Sequence, residues 1–86
     1  MKVRKKPVVV DAVLYKDELP LELEFADMLY DYRDGDLWIF NRLENCDVRC
    51  PKGHWIVRGV KGEFYPCEHD VFVSTYEPVL EDEESL

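Results

Sequence analysis

The chain has 86 residues, of which 47% are hydrophobic and 13% aromatic, and its formal net charge is −8. This length and composition predict one compact core and exclude a disordered acidic segment. The excess of acids excludes an attraction of the whole surface to nucleic-acid phosphates, and the apolar runs are too short to span a bilayer.

The compartment is predicted from the N-terminus and from the cysteines. The basic start "MKVRKKP" is not followed by a continuous apolar segment with a cleavage site, so we expect no export signal. The odd number of cysteines, three, indicates reduced thiols rather than a disulfide framework. We therefore expect a cytoplasmic protein without membrane contact.

Two elements are predicted in the first half of the chain. The segment "VVVDAVLY" after Pro7 is typical of a mostly buried strand that could be central in its sheet. In "LPLELEFADMLYDY" the apolar residues follow the spacing of one helix face, which predicts a main helix ending near Gly35. The residues of that face are Leu21, Phe25, Met28, Leu29 and Tyr32.

Four strands are predicted next, in the segments "DLWIFNRL", "CDVRC", "HWIVRG" and "EFYPC", and we expect them to form a meander. A short turn at Glu44-Asn45 separates the first two. A type I turn over Val60-Lys61, with Gly62 in the left-handed region, joins the last two. Across this hairpin we expect pairing among Trp55, Val57, Phe64 and Cys67. A short helix around Asp70 to Ser74 and an extended segment from Tyr76 to Leu80 complete the chain.

These elements predict a single α+β domain over residues 1–80, followed by an acidic tail over residues 81–86. We expect an antiparallel sheet of about five strands with one main helix packed across it. The N-terminal strand should join the sheet away from its neighbours in sequence. The alternative is a small open β-barrel with one helix.

The segment "GHWIVRGVKGEFYPCEHDVFVSTYEPV", together with "RKKPVVVDA", resembles a family of short proteins encoded by bacteriophages and prophages. Lys52 and His54 depart from the family pattern, which tends to have Pro and Asp there. The resemblance implies a phage origin and action in a bacterial cytoplasm, with no established reaction. The residues that fit the pattern are Pro7, Val8 to Val10, Gly53, Trp55, Gly59, Gly62, Glu63, Phe64, Tyr65, Pro66, Cys67, Asp70, Phe72, Thr75, Tyr76 and Glu77.

Metal binding and thiol catalysis both need the cysteines close to a histidine. A zinc site would combine Cys46 and Cys50 with Cys67 and His69, or with His54. Cys46 and Cys50 lie on one extended run, however, and such spacing does not form a tight knuckle. A Cys67 nucleophile beside His69 would also need a substrate pocket in a very small domain. We expect no metal, no cofactor and no enzyme activity.

Two surfaces are candidates for binding. On the predicted helix, Glu24, Asp27 and Asp31 lie on one side near the loop acids Asp34 and Asp36, and this acidic side could bind a basic groove of a host protein. With the phage resemblance, this favours a non-enzymatic protein that engages or inhibits a host protein, plausibly a defence component. The alternative is a nucleic-acid or nucleotide-binding module that uses the hairpin residues Trp55, Arg58, Lys61 and Tyr65.

The cysteine spacing gives a prediction about metal content. We expect protein purified without added zinc to contain less than one zinc per chain, and a chelator to leave its thermal transition unchanged. Metal analysis and melting with and without chelator measure both quantities. One zinc per chain, together with unfolding by the chelator, would contradict this expectation.

Overall fold

The structure, a computed structural model, describes residues 1–3, 8–16, 25 and 27–79. Within these residues it is an α+β fold of six strands and one helix, and the strands form two antiparallel sheets of three strands each. The predicted α+β class is confirmed. The single sheet of about five strands is replaced by two smaller ones, and neither closes into a barrel.

The first sheet has the order β1-β5-β6, with β1 at Asp11–Leu14, β5 at Trp55–Arg58 and β6 at Phe64–Cys67. β1 pairs with β5 far along the chain, as predicted, but it lies at an edge of the sheet and not at its centre. Hydrogen bonds on both sides of Tyr15 continue this pairing. Its N–H donates to the His54 carbonyl at 3.0 Å, and its carbonyl accepts from the Gly53 N–H at 2.8 Å.

The hairpin between β5 and β6 has the predicted turn. The Gly62 N–H donates to the Gly59 carbonyl at 3.0 Å, and Gly62 has a φ of 79°. The Gly59 N–H donates to the Glu63 carbonyl at 2.7 Å and closes the hairpin. Trp55 pairs with Cys67 as expected, whereas Phe64 pairs with Arg58 and therefore lies on the opposite face of the sheet from Trp55.

The second sheet has the order β2-β3-β4, with β2 at Tyr30–Arg33, β3 at Asp36–Asn41 and β4 at Cys46–Cys50. A two-residue turn joins β2 to β3, because Asp34 and Gly35 have φ values of 53° and 83°. The Asn41 side chain accepts the N–H groups of Leu43 and Glu44 and so stabilises the loop between β3 and β4.

The predicted main helix is wrong in its second half. Residues 30–33 are strand β2, and residues 27–29 have no helical structure. Gly35 has the positive φ expected of it, but it forms the hairpin turn rather than a helix cap. The first half of the predicted helix lies outside the described residues, as does the tail over 81–86. The helix of the described chain is α1 at His69–Thr75, with Glu68 at its N-cap, where the shorter helix was predicted.

The core lies between the two sheets. Ile56 and Phe64 of the first sheet, together with Leu37, Ile39 and Cys50 of the second, belong to one buried cluster. The loops add Tyr15, Phe25 and Met28 to this cluster. The rings of Phe25 and Phe64 meet edge to face with centroids 5.1 Å apart. Burial of one such side chain stabilises the fold by about 1.5–3 kcal/mol, so this layer is the main source of stability.

The hairpin turn gives a prediction about stability. Gly62→Val places a β-branched residue in the left-handed region and should lower the free energy of unfolding by roughly 1–2 kcal/mol. The strain comes from the backbone, because among the described residues a Cβ at Gly62 would approach the Arg42 guanidinium alone, at an ordinary contact distance of 3.8 Å. Lys61→Ala, in the same exposed turn, is the matched control and should leave stability nearly unchanged. Chemical denaturation of both variants measures the difference, and equal stability of Gly62→Val and wild type would contradict the turn.

Candidate functional site

The acidic residues do not form one helix face, which corrects that part of the sequence prediction. Asp31 lies on β2 and accepts a hydrogen bond from Arg33 at 3.2 Å, while Asp36 begins β3 and forms an ion pair with Arg49 at 3.2 Å. Asp34 is exposed in the turn between these strands. Glu24 lies outside the described residues. The acids of this hairpin are thus mixed with arginines on the outer face of the second sheet.

Arg33 is the centre of this charged face. Its guanidinium donates to both Asp47 and Asp31, and it also lies over the Trp38 ring, 5.2 Å from the ring centroid. The hydrogen bonds to Asp47 and Asp31 raise the pKa of Arg33. These groups are largely exposed, so the ion pairs contribute little to stability and mainly orient the side chains.

Arg58 and Asp27 connect the two sets of predicted site residues. The Arg58 guanidinium donates to the Asp27 carboxylate at 3.1 Å and lies 5.7 Å from the centroid of the Phe64 ring. Both partners of the ion pair are partly exposed. Arg58 therefore already has an anionic partner and an aromatic one within the fold, which reduces its capacity to bind phosphate.

Trp55 and Tyr65 lie on the opposite face of the first sheet, where they contact α1 and the residues after it. The Trp55 ring stacks on Phe72 with centroids 4.1 Å apart, and its Nε1–H donates to His69 Nδ1 at 3.1 Å. The Tyr65 and Tyr76 hydroxyls are 3.1 Å apart. Burial, followed by the hydrogen bond to Tyr76, raises the pKa of Tyr65 well above its usual range. Both rings hold α1 against the sheet, whereas Lys61 of the same hairpin is exposed in the turn.

The cysteines lie apart from one another. Cys46 is exposed at the start of β4, Cys50 is buried in the core at its end, and Cys67 is half-buried at the end of β6. His69 is engaged by Trp55. Among the residues that the structure describes, no three His, Cys, Asp or Glu side chains form a group that could hold a metal ion. The arrangement considered for zinc is not formed by these residues.

An exposed apolar surface lies along β2 and just before it. Two of its residues, Leu29 and Tyr32, were predicted on the apolar face of a helix, whereas Tyr30 was not. The Tyr30 and Tyr32 rings meet edge to face with centroids 5.9 Å apart and are 42% and 48% exposed. Leu29, just before the strand, is 67% exposed. We call Leu29, Tyr30, Tyr32 and the adjoining Asp34 the tyrosine edge. The Asp-Gly dipeptide at residues 34 and 35 is a hairpin signal that could have revealed it.

A second apolar surface lies between the N-terminal segment and the segment after α1. Two adjoining clefts, of about 360 and 560 Å³, share several lining residues. The smaller extends to Ala12, Trp55 and Phe72, and the larger to Val60, Glu63 and Tyr65. We call the shared surface the valine cleft, and its residues are Val8, Val9, Val10, Tyr76, Glu77 and Val79.

Comparisons of the chain with protein-family models, with curated proteins and with solved structures find no match. The described part of the chain has no helix that is both long enough and apolar enough to cross a membrane.

The different environments of the cysteines predict an order of reaction. Burial raises the pKa of Cys50 from 9.0 to about 11, which lowers its thiolate fraction near neutral pH by about a hundredfold. Burial, and then the charge of Glu68, also raise the pKa of Cys67. In folded protein at pH 8 we expect a thiol reagent to modify Cys46 first and Cys50 last.

Labelling followed by peptide mass analysis measures this order. The Cys46→Ser variant should lose the fast phase and retain the slow ones, and addition of denaturant should make the remaining thiols react together. Fast modification of Cys50 in the folded protein would contradict its place in the core.

Proposed function

We propose that this chain is a small non-enzymatic binding protein of phage origin that engages a host protein in the bacterial cytoplasm. The observation that carries the proposal is the tyrosine edge, where two neighbouring tyrosine rings remain close to half exposed. Tyrosine is enriched in protein interfaces because it provides a large apolar contact and a polar hydroxyl at low entropic cost. Singly exposed side chains are common on any surface, but a contiguous aromatic pair indicates a binding site.

The charges around the tyrosine edge support a basic partner surface. Asp34 is exposed beside the rings, and Asp31 lies between them on the opposite face of the strand. Asp31 and Asp47 share the cation of Arg33, so the local balance remains acidic. This fits the −8 charge of the chain and favours a host groove that is apolar in the middle and basic at its rim. A host-defence component is the expected kind of target.

The nucleic-acid alternative receives less support from these contacts. A base-binding surface needs an accessible aromatic face and free cations. Trp55 stacks on Phe72, Tyr65 bonds to Tyr76, and Arg58 is paired with Asp27. Lys61 alone would not give the hairpin a strong attraction to phosphate. Oligonucleotide binding is therefore the result that would contradict the proposal.

The test compares partners captured from host lysate by wild type and by surface variants. Tyr30→Ala should reduce recovery of the specific partner at least about tenfold, as expected for a central aromatic contact. Val71→Ala, an equally exposed residue on α1, is the matched control and should capture as well as wild type. Melting curves confirm that both variants are folded, and the captured partner is then purified for a direct titration with the same variants.

Equal direct binding by Tyr30→Ala and wild type would contradict the role of the tyrosine edge. Nuclease-sensitive capture, with oligonucleotide binding that weakens steeply as salt rises and is lost in Lys61→Ala, would replace the proposal with the nucleic-acid module.

A further inference from the structure

β1 has an open hydrogen-bonding edge within the described part of the chain. The Tyr15 N–H donates to the His54 carbonyl, which fixes the phase of the pairing between β1 and β5. Because hydrogen-bonded pairs alternate along an antiparallel ladder, Val13 directs its backbone N–H and C=O toward β5. Ala12 and Leu14 direct theirs away from β5, and β1 is the terminal strand of its sheet. These two residues therefore present donors and acceptors to an additional strand.

The other edge of the same sheet is blocked. The bond from the Gly59 N–H to the Glu63 carbonyl fixes the phase of β5 and β6. By the same alternation, Tyr65 and Cys67 bond to β5, while Pro66 faces outward. Proline has no N–H. Because Pro66 faces away from β5, the missing N–H removes no hydrogen bond between β6 and β5, but it interrupts the outer edge of β6. Within the described residues, the edge beside β1 is therefore the uninterrupted one of this sheet.

The valine cleft adjoins that edge on the α1 side of the sheet. Ala12 lies opposite Val57, and both are on the face that carries Trp55 and Tyr65. Ala12 and Trp55 line the smaller of the two clefts. Since side chains alternate between the faces of a strand, every second side chain of an added strand would lie on the α1 side, beside the cleft. Val8 and Val9, 50% and 61% exposed, offer apolar contacts to such side chains.

The described side chains that line the clefts carry a negative charge. Among the described residues that line the clefts, the charged ones are Glu63 and Glu77, and none is a base. The Glu63 carboxylate accepts the Lys61 backbone N–H at 3.0 Å, whereas Glu77 is exposed. Asp11 begins β1 but lies across from Arg58, on the face of the sheet away from the cleft, and the exposed Lys16 follows the strand. A cationic segment would be attracted to the carboxylates of the cleft.

We propose that the β1 edge and the valine cleft bind an extended segment of a partner protein, apolar at alternate positions and basic at its ends, by adding it as a fourth strand beside β1. Main-chain hydrogen bonds to Ala12 and Leu14 give the affinity, and the cleft selects the apolar side chains. Glu77, with Glu63 in the wall of the larger cleft, attracts the basic side chains of the segment. This goes beyond the function proposed above, because the site is on the other sheet and is separate from the tyrosine edge.

The probe is a fluorescein-labelled peptide, Lys-Val-Thr-Val-Thr-Val-Lys, titrated by fluorescence polarisation. Two control peptides carry glutamate in place of both lysines, or N-methyl groups on alternate amides. Ala12→Pro removes the outward N–H of β1 without removing a bond to β5, as Pro66 does on β6. Val9→Ser alters the cleft, and Val71→Ser is its matched control on the exposed side of α1. Amide spectra of labelled protein locate the bound peptide.

We expect saturable binding of the lysine peptide, with the largest amide shifts at Ala12, Leu14 and their neighbours. Ala12→Pro and the N-methylated peptide should each weaken binding roughly tenfold. Val9→Ser should weaken it by several-fold and Val71→Ser should not. The glutamate peptide should bind more weakly than the lysine peptide, and by a margin that shrinks as salt rises.

The proposal is overturned if the lysine peptide does not bind, or if the N-methylated peptide binds wild type as well as the unmodified one. The latter comparison decides the matter even where Ala12→Pro lowers stability, because it uses wild-type protein. A stable dimer in sedimentation, with β1 amides protected in the absence of peptide, would overturn it in favour of self-pairing. Loss of host-protein capture in Tyr30→Ala has no bearing on these results, so the two proposals fail separately.

Discussion

The fold depends on the packing of two small sheets against each other. A three-stranded sheet with an unprotected face is marginal in water, because its apolar side chains remain hydrated. Here the inner faces cover one another, with Ile56 and Phe64 on one side and Leu37 and Ile39 on the other. The edge positions follow from this arrangement. Two sheets of three strands have more edges than one sheet of six, and the surfaces proposed to bind partners both lie at such edges.

Local pattern predicted the elements whose partners are close in sequence. The hairpin of β5 and β6 was predicted in its strands, its turn and the conformation of Gly62, because the turn chemistry is contained in a few adjacent residues. The position of α1 was predicted for the same reason. The strand β1 was predicted from its β-branched residues. Its position at the edge depends on how the other strands pair, and the local sequence gives no information about that pairing.

The prediction of a main helix was wrong in its second half because the described residues of its apolar face lie in a loop and in strand β2 instead. Phe25 and Met28 are buried as predicted, but in a non-helical segment. Tyr30 and Tyr32 follow the two-residue period of a strand and pair with Ile39 and Leu37. In so short a run the helical and strand periods overlap, and long-range pairing decides between them. The acidic face predicted on that helix was lost with it.

The sequence indicated which residues could belong to a binding surface, but not which residues they contact in the fold. Trp55, Arg58 and Tyr65 were predicted as binding candidates, and their contacts with Phe72, Asp27 and Tyr76 were not predicted because these partners are distant in sequence. The aromatic surface along β2 was missed because Tyr32 was predicted on a buried helix face and Tyr30 was not predicted to lie beside it. The valine cleft was not predicted, because it is formed where the N-terminal segment meets the segment after α1, and these are far apart in sequence.

Pro66 has a consequence for the size of any assembly built through the first sheet. A sheet with two open edges can grow by repeated addition of identical units into a filament without end. With Pro66 interrupting the outer edge of β6, the proposed addition beside β1 uses the uninterrupted edge of the described sheet. Each chain then has a valence of one through this sheet. Complexes built through this sheet by the proposed addition would therefore be finite pairs.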